Sequence, residues 1–476
     1  MILRRLRAAI VLALVLSIAR PRPAAAYSLL THEQLIDLTW DDSIVPLLLS
    51  RYPGLTPAQL DEARAYAYGG CVIQDIGYYP AGDLSFSDLT HYVRSGDFVV
   101  NLFRNAKNAD QLAFAIGALS HYVGDSIGHS LATNLAVPAE FPKLRRKYGR
   151  VVNYAEGKHQ HVQVEFAFDI SEISRHRMAP LQYLRHIGLR VPVKQLALAY
   201  YQTYGLSDEF SGRRRRFNVR EYRFAVRTFI PRIAFAVTVL HRRHEPPEPD
   251  IPEAAEIAKE IAAVSVSDNW PHYRRKAGVT TYVLAGLVFI LPKVGPLKLV
   301  AVKGPTPASD REYIHSVAVS MAVLRRHLTR FTPPSARRHH AEATAAVQKQ
   351  AAGMNASGTA GNTVVRRLSA GSLHPLPNLD LDTGNVVRPG GYPLTDFTYA
   401  KLLHRLTRRP SQSIPPGIKR DILGYYADPD APITTKKDPG KWAQVQADLA
   451  TLAKMPTSTE PEPYPTYAED AAAGSQ

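Results

Sequence analysis

The stretch SHYVGDSIGHS, at 120–130, limits the possible folds more than any other part of the sequence. On an α-helix, His121, Asp125 and His129 lie one turn apart on a single face. The preceding residues, QLAFAIGALS, are mostly apolar, so we expect this helix to pack into the core. A buried imidazole or carboxylate is costly unless it is paired or bound to a metal ion. The stretch therefore predicts a core helix that carries metal ligands.

Further histidines and carboxylates occur in order through 27–165. HVQVEF repeats the i, i+4 spacing with His161 and Glu165, and His159 is a competing histidine at a less suitable spacing. Each element alone is more typical of a core histidine or of a helix-surface pair. Together, imidazoles and carboxylates suit zinc, and their number is sufficient for two or three ions. The candidates are His32, Asp75, His91, His121, Asp125, His129, His161 and Glu165.

This ordered set resembles the ligands of the zinc-dependent phospholipase C family over roughly 27–240. The most specific motif is HYVGD, at 121–125, followed by a further histidine. The resemblance implies an all-α fold, which the family shares with the single-strand-specific zinc nucleases of fungi and plants. It also implies a cleft with three zinc ions and a free N-terminal residue as a ligand. We therefore expect an all-α, multi-helix domain followed by a mostly helical C-terminal extension.

By position, the resemblance assigns the candidates to three ions. The ligands of the first ion are Asp75, His91, His121 and Asp125. The ligands of the second ion are His129, His161 and Glu165. The ligands of the third ion are the backbone amine and carbonyl of Tyr27, the side chain of His32, and a shared Asp125. Two features depart from the family. Tyr27 stands where tryptophan is usual, and the gap between Asp125 and His129 is shorter and lacks the usual proline.

The segment 1–26 has the features of a signal peptide. Arginines at 4, 5 and 7 precede a short apolar run, and alanines at 24–26 fit a cleavage site. An uncleaved membrane anchor is the alternative, for which the run is short. We expect cleavage after Ala26, which frees the amine of Tyr27, and export to the periplasm or the medium, with membrane association. The single cysteine, Cys71, excludes an intramolecular disulfide.

Composition divides the rest of the chain. The segments are a helical domain at 27–245, a helical extension at 246–332, a flexible linker at 333–372, a small C-terminal helical domain at 373–457 and a disordered tail at 458–476. Within the extension, 277–292 is strongly apolar but short for a membrane span, so a buried or membrane-contacting helix is favoured. In NLDLDTGNVV, Asp380 and Asp382 loosely suggest calcium, but a simple turn is favoured because the other ligands are missing.

The resemblance implies a zinc-dependent phosphoric diester hydrolase of the phospholipase C type. Asp75 would orient or deprotonate the attacking water, and the substrate would be a phospholipid at a membrane surface. Glu165 favours this branch, because the nucleases tend to have aspartate there. The stretch 213–237 mixes arginine with aromatic residues, as an interfacial helix does, but an ordinary helix with a basic face is favoured.

Two alternatives remain open, and no protein partner is predicted. The net charge of +16 and the many tyrosines suit single-stranded nucleic acid, and the short gap between Tyr27 and His32 favours a nuclease. Removal of the five arginines of 1–26 would lower that charge to about +11. The shortened gap between Asp125 and His129 instead motivates a zinc-stabilised envelope protein with a decayed site.

Overall fold

The computed structural model describes the residues 29–78, 82–206, 219–224, 226–227, 230–241, 249–274, 281–282, 304–331 and 376–459. Tyr27 and the predicted signal peptide lie outside the described residues. So do the predicted linker at 333–372, the residues 460–476 of the predicted tail, and all of 277–292 except 281–282.

Helices form almost all of the chain between 29 and 206. They are α1 (Leu29–Thr39), α2 (Val45–Arg51), α3 (Pro57–Cys71), α4 (Leu84–Tyr92), α5 (Ser95–Arg104), α6 (Ala109–Gly128), α7 (Asn134–Glu140), α8 (Pro142–Tyr148), α9 (Tyr154–Ser174), α10 (Leu181–Ile187) and α11 (Val193–Tyr204). Short π-helical turns occupy Trp40–Ile44 and His129–Thr133, and a 3-10 turn occupies Gln74–Tyr78.

The later part of the chain is also helical. Its helices are α12 (Val219–Phe224), α13 (Ile230–His241), α14 (Pro252–Ser267), α15 (Trp270–Tyr273), α16 (Pro307–Phe331), α17 (Pro393–Thr407), α18 (Pro416–Tyr425) and α19 (Pro439–Lys454), with a 3-10 turn at Thr434–Lys437. In the described part of the chain, the strands are β1 (Leu379–Asp380) and β2 (Asn385–Val386), which pair antiparallel. The predicted all-α fold is confirmed.

Helices α3 and α6 pack closely against each other at the centre of the fold. Gly70 permits this approach, because a Cβ there would lie only 2.1 Å from the carbonyl oxygen of Phe114. Helix α6 is buried without interruption from Leu112 to Gly128. This explains why its sequence is apolar on all sides rather than amphipathic. The packing brings the C-terminal end of α3 next to the polar residues of α6.

Long helix α16 covers the other side of α6. It contacts α6, α1, α7 and the π-helical turn at His129–Thr133. Arg175 ties α9 to the start of α16, because it donates hydrogen bonds to both carboxylate oxygens of Asp310 at 3.0 and 2.5 Å. The predicted helical extension therefore contributes a wall of the core rather than a separate layer of surface helices.

The C-terminal segment 376–459 packs onto α4 and α5 through α17 and β1. The hydroxyl of Tyr122 donates to the carbonyl oxygen of Pro377 at 2.6 Å, and the amide of Asp97 donates to the side chain of Asn378 at 3.0 Å. The hydroxyl of Ser95 donates to the carbonyl oxygen of Leu379 at 2.5 Å. The small domain predicted at 373–457 stays a prediction as an independent unit, but its first residues reach the centre of the fold.

None of the described helices combines the length and the hydropathy that a membrane crossing requires. Of the stretch 213–237, the described residues belong to α12, α13 and the turn between them, and the hydroxyl of Tyr222 donates to the carbonyl oxygen of Gly69 at 2.9 Å. This contact ties α12 to α3.

Candidate metal centre

Four of the predicted ligands meet in one buried group, which we call the first group. Asp75 comes from the 3-10 turn after α3, His91 from the end of α4, and His121 and Asp125 from α6. The Nε2 of His91 lies 3.3 Å from Oδ1 of Asp75 and 3.1 Å from Oδ2 of Asp125. The Nε2 of His121 lies 3.3 Å from the same Oδ2 and 3.4 Å from Nε2 of His91. Two ligand atoms bound tetrahedrally to zinc lie about 3.4 Å apart, so the group fits one ion.

Hydrogen bonds orient both histidines of the first group. The Nδ1 of His91 donates to the carbonyl oxygen of Ser87 at 2.8 Å, and Nδ1 of His121 donates to that of Cys71 at 2.9 Å. In a neutral ring, the other nitrogen then carries a lone pair. With both rings neutral, two Nε2 lone pairs and two carboxylates would converge, so the group needs a positive charge between them, from a proton or from a metal ion. Zinc-binding histidines are held in this way by their second ring nitrogen.

The charges of the first group favour a cation at the same point. Burial would lower the pKa of His91, but hydrogen bonds and charge from Asp125 and Asp75 raise it well above its usual value. Burial would raise the pKa of Asp125, but the charge of His121, with hydrogen bonds from the surrounding histidines, holds it well below its usual range. An ionised carboxylate beside a positive charge is thus the preferred state.

Local structure fixes Asp75 relative to His91. The hydroxyl of Ser87, one turn before His91 on α4, donates to the carbonyl oxygen of Gln74. The hydroxyl oxygen of Ser87 in turn accepts a hydrogen bond from the amide of Gly77 at 2.8 Å. The 3-10 turn is therefore joined to α4 on both sides of Asp75.

His32 lies on the opposite side of Asp125 from His91. Its Nε2 lies 3.3 Å from Oδ1 of Asp125, whereas the Oδ2 atom faces the first group. Its ring stacks on that of His121, with centroids 4.2 Å apart. The carboxylate of Asp125 is thus arranged to be shared between two sites. Because Tyr27 lies outside the described residues, the third ion stays a prediction.

Asp169 of α9 fixes the start of α1, close to His32. Its carboxylate accepts hydrogen bonds from the amides of Leu30 and Thr31 at 3.2 and 3.1 Å. It also accepts one from the hydroxyl of Thr31 at 2.8 Å. The first amides of a helix have no partner within the helix, so this distant carboxylate satisfies them.

The second group consists of His129, His161 and Glu165, each almost completely buried. The Nε2 of His161 donates to the carbonyl oxygen of Val152 at 2.7 Å, which leaves a lone pair on Nδ1, 3.8 Å from Oε1 of Glu165. Both nitrogens of His129 and both carboxylate oxygens of Glu165 lack a hydrogen-bond partner among the described residues. Three protein ligands leave one position of a four-coordinate zinc ion for a further ligand.

Burial dominates the titration of the second group. It lowers the pKa of His161 to about 4 and holds that of His129 well below the usual value. It raises the pKa of Glu165 well above its usual range, and the negative charges of Asp125 and Asp75 raise it further. Both histidines are therefore neutral at pH 7, which is the form that binds metal.

The backbone at His129 differs from the regular helix that the sequence predicts over 120–130. Helix α6 ends at Gly128, and a π-helical turn begins at His129. A wider turn changes the direction of the side chain, and such turns are frequent at functional sites. The competing histidine of α9, His159, is exposed and takes no part in the second group.

The sequence predicted a simple turn at Asp380 and Asp382 and did not place Asp382 among the zinc ligands. The predicted turn is present between β1 and β2, where the amide of Gly384 donates to the carbonyl oxygen of Asp380 at 2.9 Å. It brings Oδ1 of Asp382 to 3.5 Å from Nε2 of His129. The alternation in LDLD was the one available signal, because it places two carboxylates in an apolar strand.

The two buried groups of the all-α fold form a candidate metal centre of histidine and carboxylate side chains. Residues 31–208 match the model of a known family, described as zinc dependent phospholipase C. The matched region contains all of the predicted ligands except Tyr27, so the candidate centre lies within the part of the chain that is similar to this family. Neither the curated proteins nor the solved structures include a match to the chain.

Proposed function

We propose that the protein is a zinc-dependent phosphodiester hydrolase of the phospholipase C type. The observation that carries the proposal is the convergence of the Nε2 atoms of His91 and His121 with the carboxylates of Asp75 and Asp125. The match of 31–208 to the zinc dependent phospholipase C model supports the same chemistry. Water would attack the phosphorus of a phospholipid, with release of diacylglycerol and a phosphorylated headgroup.

Asp75 is the residue that we assign to the attacking water. Its Oδ1 lies 3.3 Å from Nε2 of His91, whereas its Oδ2 has no hydrogen-bond partner among the described residues. Its Oδ2 is thus available to orient a water or to accept its proton. Bound zinc ions would supply hydroxide at neutral pH and neutralise charge on the phosphate.

We also propose two or three zinc ions, export of the protein, and a phospholipid membrane surface as its partner. The third ion depends on cleavage after Ala26, because it needs a free amine at Tyr27. Helix α1 begins two residues later, at Leu29, and holds His32 beside Asp125.

The test is zinc content and hydrolysis measured on the same preparations. The mature chain should bind two or three zinc ions and release phosphorylated headgroups from phosphatidylcholine vesicles. His121→Ala should lose zinc and at least about 99% of the activity, since it removes a ligand of the first group. His159→Ala is the matched control, because this histidine is exposed, and it should keep both.

Cleavage of single-stranded DNA without lipid hydrolysis would replace this function with the nuclease. Folded, zinc-supplied protein that binds no zinc would refute the metal centre and the enzyme with it.

A structural role for zinc is the second candidate, and burial favours it. The first group has four protein ligands, all almost completely buried. Structural zinc sites are closed in this way, whereas catalytic sites keep one position open. Zinc-loaded protein that hydrolyses neither lipids nor nucleic acid would support this role, and zinc removal would then chiefly lower the unfolding temperature.

A further inference from the structure

The carboxylate of Asp382 reaches the second group from outside the region that matches the family. That region ends at 208, whereas Asp382 follows β1 in the C-terminal segment. The side chain is almost completely buried. Its Oδ1 lies 3.5 Å from Nε2 of His129. Two ligand atoms about 2.1 Å from a tetrahedral zinc ion lie about 3.4 Å apart, so these two atoms fit one ion.

The second group has capacity for this carboxylate. His129, His161 and Glu165 supply three ligands, and zinc usually takes four. The two nitrogens of His129 have no hydrogen-bond partner among the described residues. The second group thus contains buried lone pairs that no described donor satisfies.

Tyrosines hold the carboxylate of Asp382 in place. The hydroxyls of Tyr92 and Tyr392 both donate to Oδ2, at 2.9 and 2.6 Å. The side chain of Asn134 donates to the backbone carbonyl oxygen of Asp382 at 2.8 Å. Hydrogen bonds of this kind orient carboxylates that bind metals. Because both tyrosines use Oδ2, Oδ1 is left to face His129.

We propose that Asp382 is a fourth protein ligand of the zinc ion held by the second group. The inference rests on the proposed zinc centre, and it deepens it by making the C-terminal segment part of that centre. The turn between β1 and β2 then supplies a zinc ligand. The second site is thus completed by a residue that lies outside 31–208, the region that matches the family model.

Asp382→Asn tests the proposal in the full chain. Asparagine keeps the shape and still accepts hydrogen bonds from the tyrosines, but it loses the charge. Zinc titration against a chelator should show at least a tenfold weaker affinity for one ion. The matched control is Asp380→Asn, because Asp380 lies in the same turn and is also buried, but accepts its hydrogen bonds from Thr383. This control should bind zinc as the wild type does.

An Asp382→Asn variant that binds every zinc ion with the wild-type affinity overturns the proposal. If that variant fails to fold, a crystal structure of the zinc-loaded wild type decides. An Asp382 oxygen within about 2.2 Å of an ion supports the proposal, and a distance above about 3 Å refutes it. Wild-type protein that loads zinc while Asp382→Asn binds equally well refutes this inference alone. Wild-type protein that binds no zinc refutes the proposed function as well.

Discussion

Gly117 of α6 packs directly on the backbone of Ala67 in α3. A Cβ at Gly117 would lie 2.2 Å from the carbonyl oxygen of Ala67 and 2.7 Å from the amide nitrogen of Cys71. The carbonyl of Cys71 in turn accepts the hydrogen bond that orients His121. The same close contact therefore sets both the helix packing and the direction of a predicted zinc ligand.

Gly117→Ala should destabilise the protein by about 1–3 kcal/mol, because backbone atoms cannot move aside as a flexible side chain can. It should also weaken zinc binding, since α6 must shift away from α3. Urea unfolding and zinc titration measure the two effects. Gly424→Ala in α18 is the control, because no atom lies within 4 Å of a Cβ there. It should be neutral or slightly stabilising. Equal behaviour of the two variants would contradict the role given to this contact.

Arg64 forms buried ion pairs that connect α1, α3 and the end of α14. It is buried in α3 and donates hydrogen bonds to Asp37 of α1 at 2.6 Å and to Asp268, after α14, at 2.9 Å. Arg64→Leu leaves Asp37 buried without its cation, and burial already raises the pKa of this carboxyl to about 6. We expect a loss of about 3–5 kcal/mol in the free energy of unfolding.

The surface pair of Arg190 and Glu62 is the control for Arg64. Both side chains are about half exposed, and their charged atoms lie 3.2 Å apart. Arg190→Leu should change the free energy of unfolding by less than about 1 kcal/mol. Comparable losses in the two variants, measured by urea unfolding, would show that Arg64 does not stabilise the junction of α1, α3 and α14.

Local patterns made part of the centre predictable. His121 and Asp125, like His161 and Glu165, lie one turn apart on a helix, so their meeting depends only on helix geometry. The assignment of Asp75 and His91 to the same ion as His121 and Asp125 came from the family resemblance, because no local spacing joins the end of α3 to α4. In the structure, the hydroxyl of Ser87 makes that join.

Other features depend on contacts that a single sequence does not reveal. In the sequence, nothing distinguishes Gly70 and Gly117 from other residues of a helical pattern. In the structure, they set the distance between α3 and α6. The sequence around His129 is compatible with a regular helix and with a π-helical turn, so it does not predict the π-helical turn that the structure contains. Asp382 reaches the second group only through the docking of the C-terminal segment, which is a long-range contact.

The pH dependence of the metal-free protein should report on His161. Its pKa is about 4 in the folded state and about 6.5 in the unfolded state, so the unfolded chain binds more protons between these values. Stability is therefore present above about pH 6.5 and is lost as the pH falls towards 4. This one group contributes a slope of about 1.4 kcal/mol per pH unit in that window.

His161→Gln should flatten that slope in chelator-treated protein, as followed by urea unfolding at several pH values. Glutamine can still donate to the carbonyl oxygen of Val152, so the backbone contact is kept. His159→Gln, on the exposed face of the same helix, should retain the slope. A slope that survives in His161→Gln would assign it to other groups, of which His129 is the first to examine because burial lowers its pKa as well.

Asp169 links the start of α1 to the proposed third ion. Asp169→Ala removes three hydrogen bonds to Leu30 and Thr31 and leaves the first amides of α1 without a partner. We expect the amides of Leu30 and Thr31 to exchange faster with solvent and zinc to fall by one ion per chain, because His32 loses its fixed position beside Asp125. Asp438→Ala is the control, since Asp438 caps the surface helix α19 in a similar way. It should lower stability only slightly and leave zinc unchanged. Faster exchange without loss of zinc would show that zinc binding does not depend on the start of α1. His32 would then be a core histidine paired with Asp125.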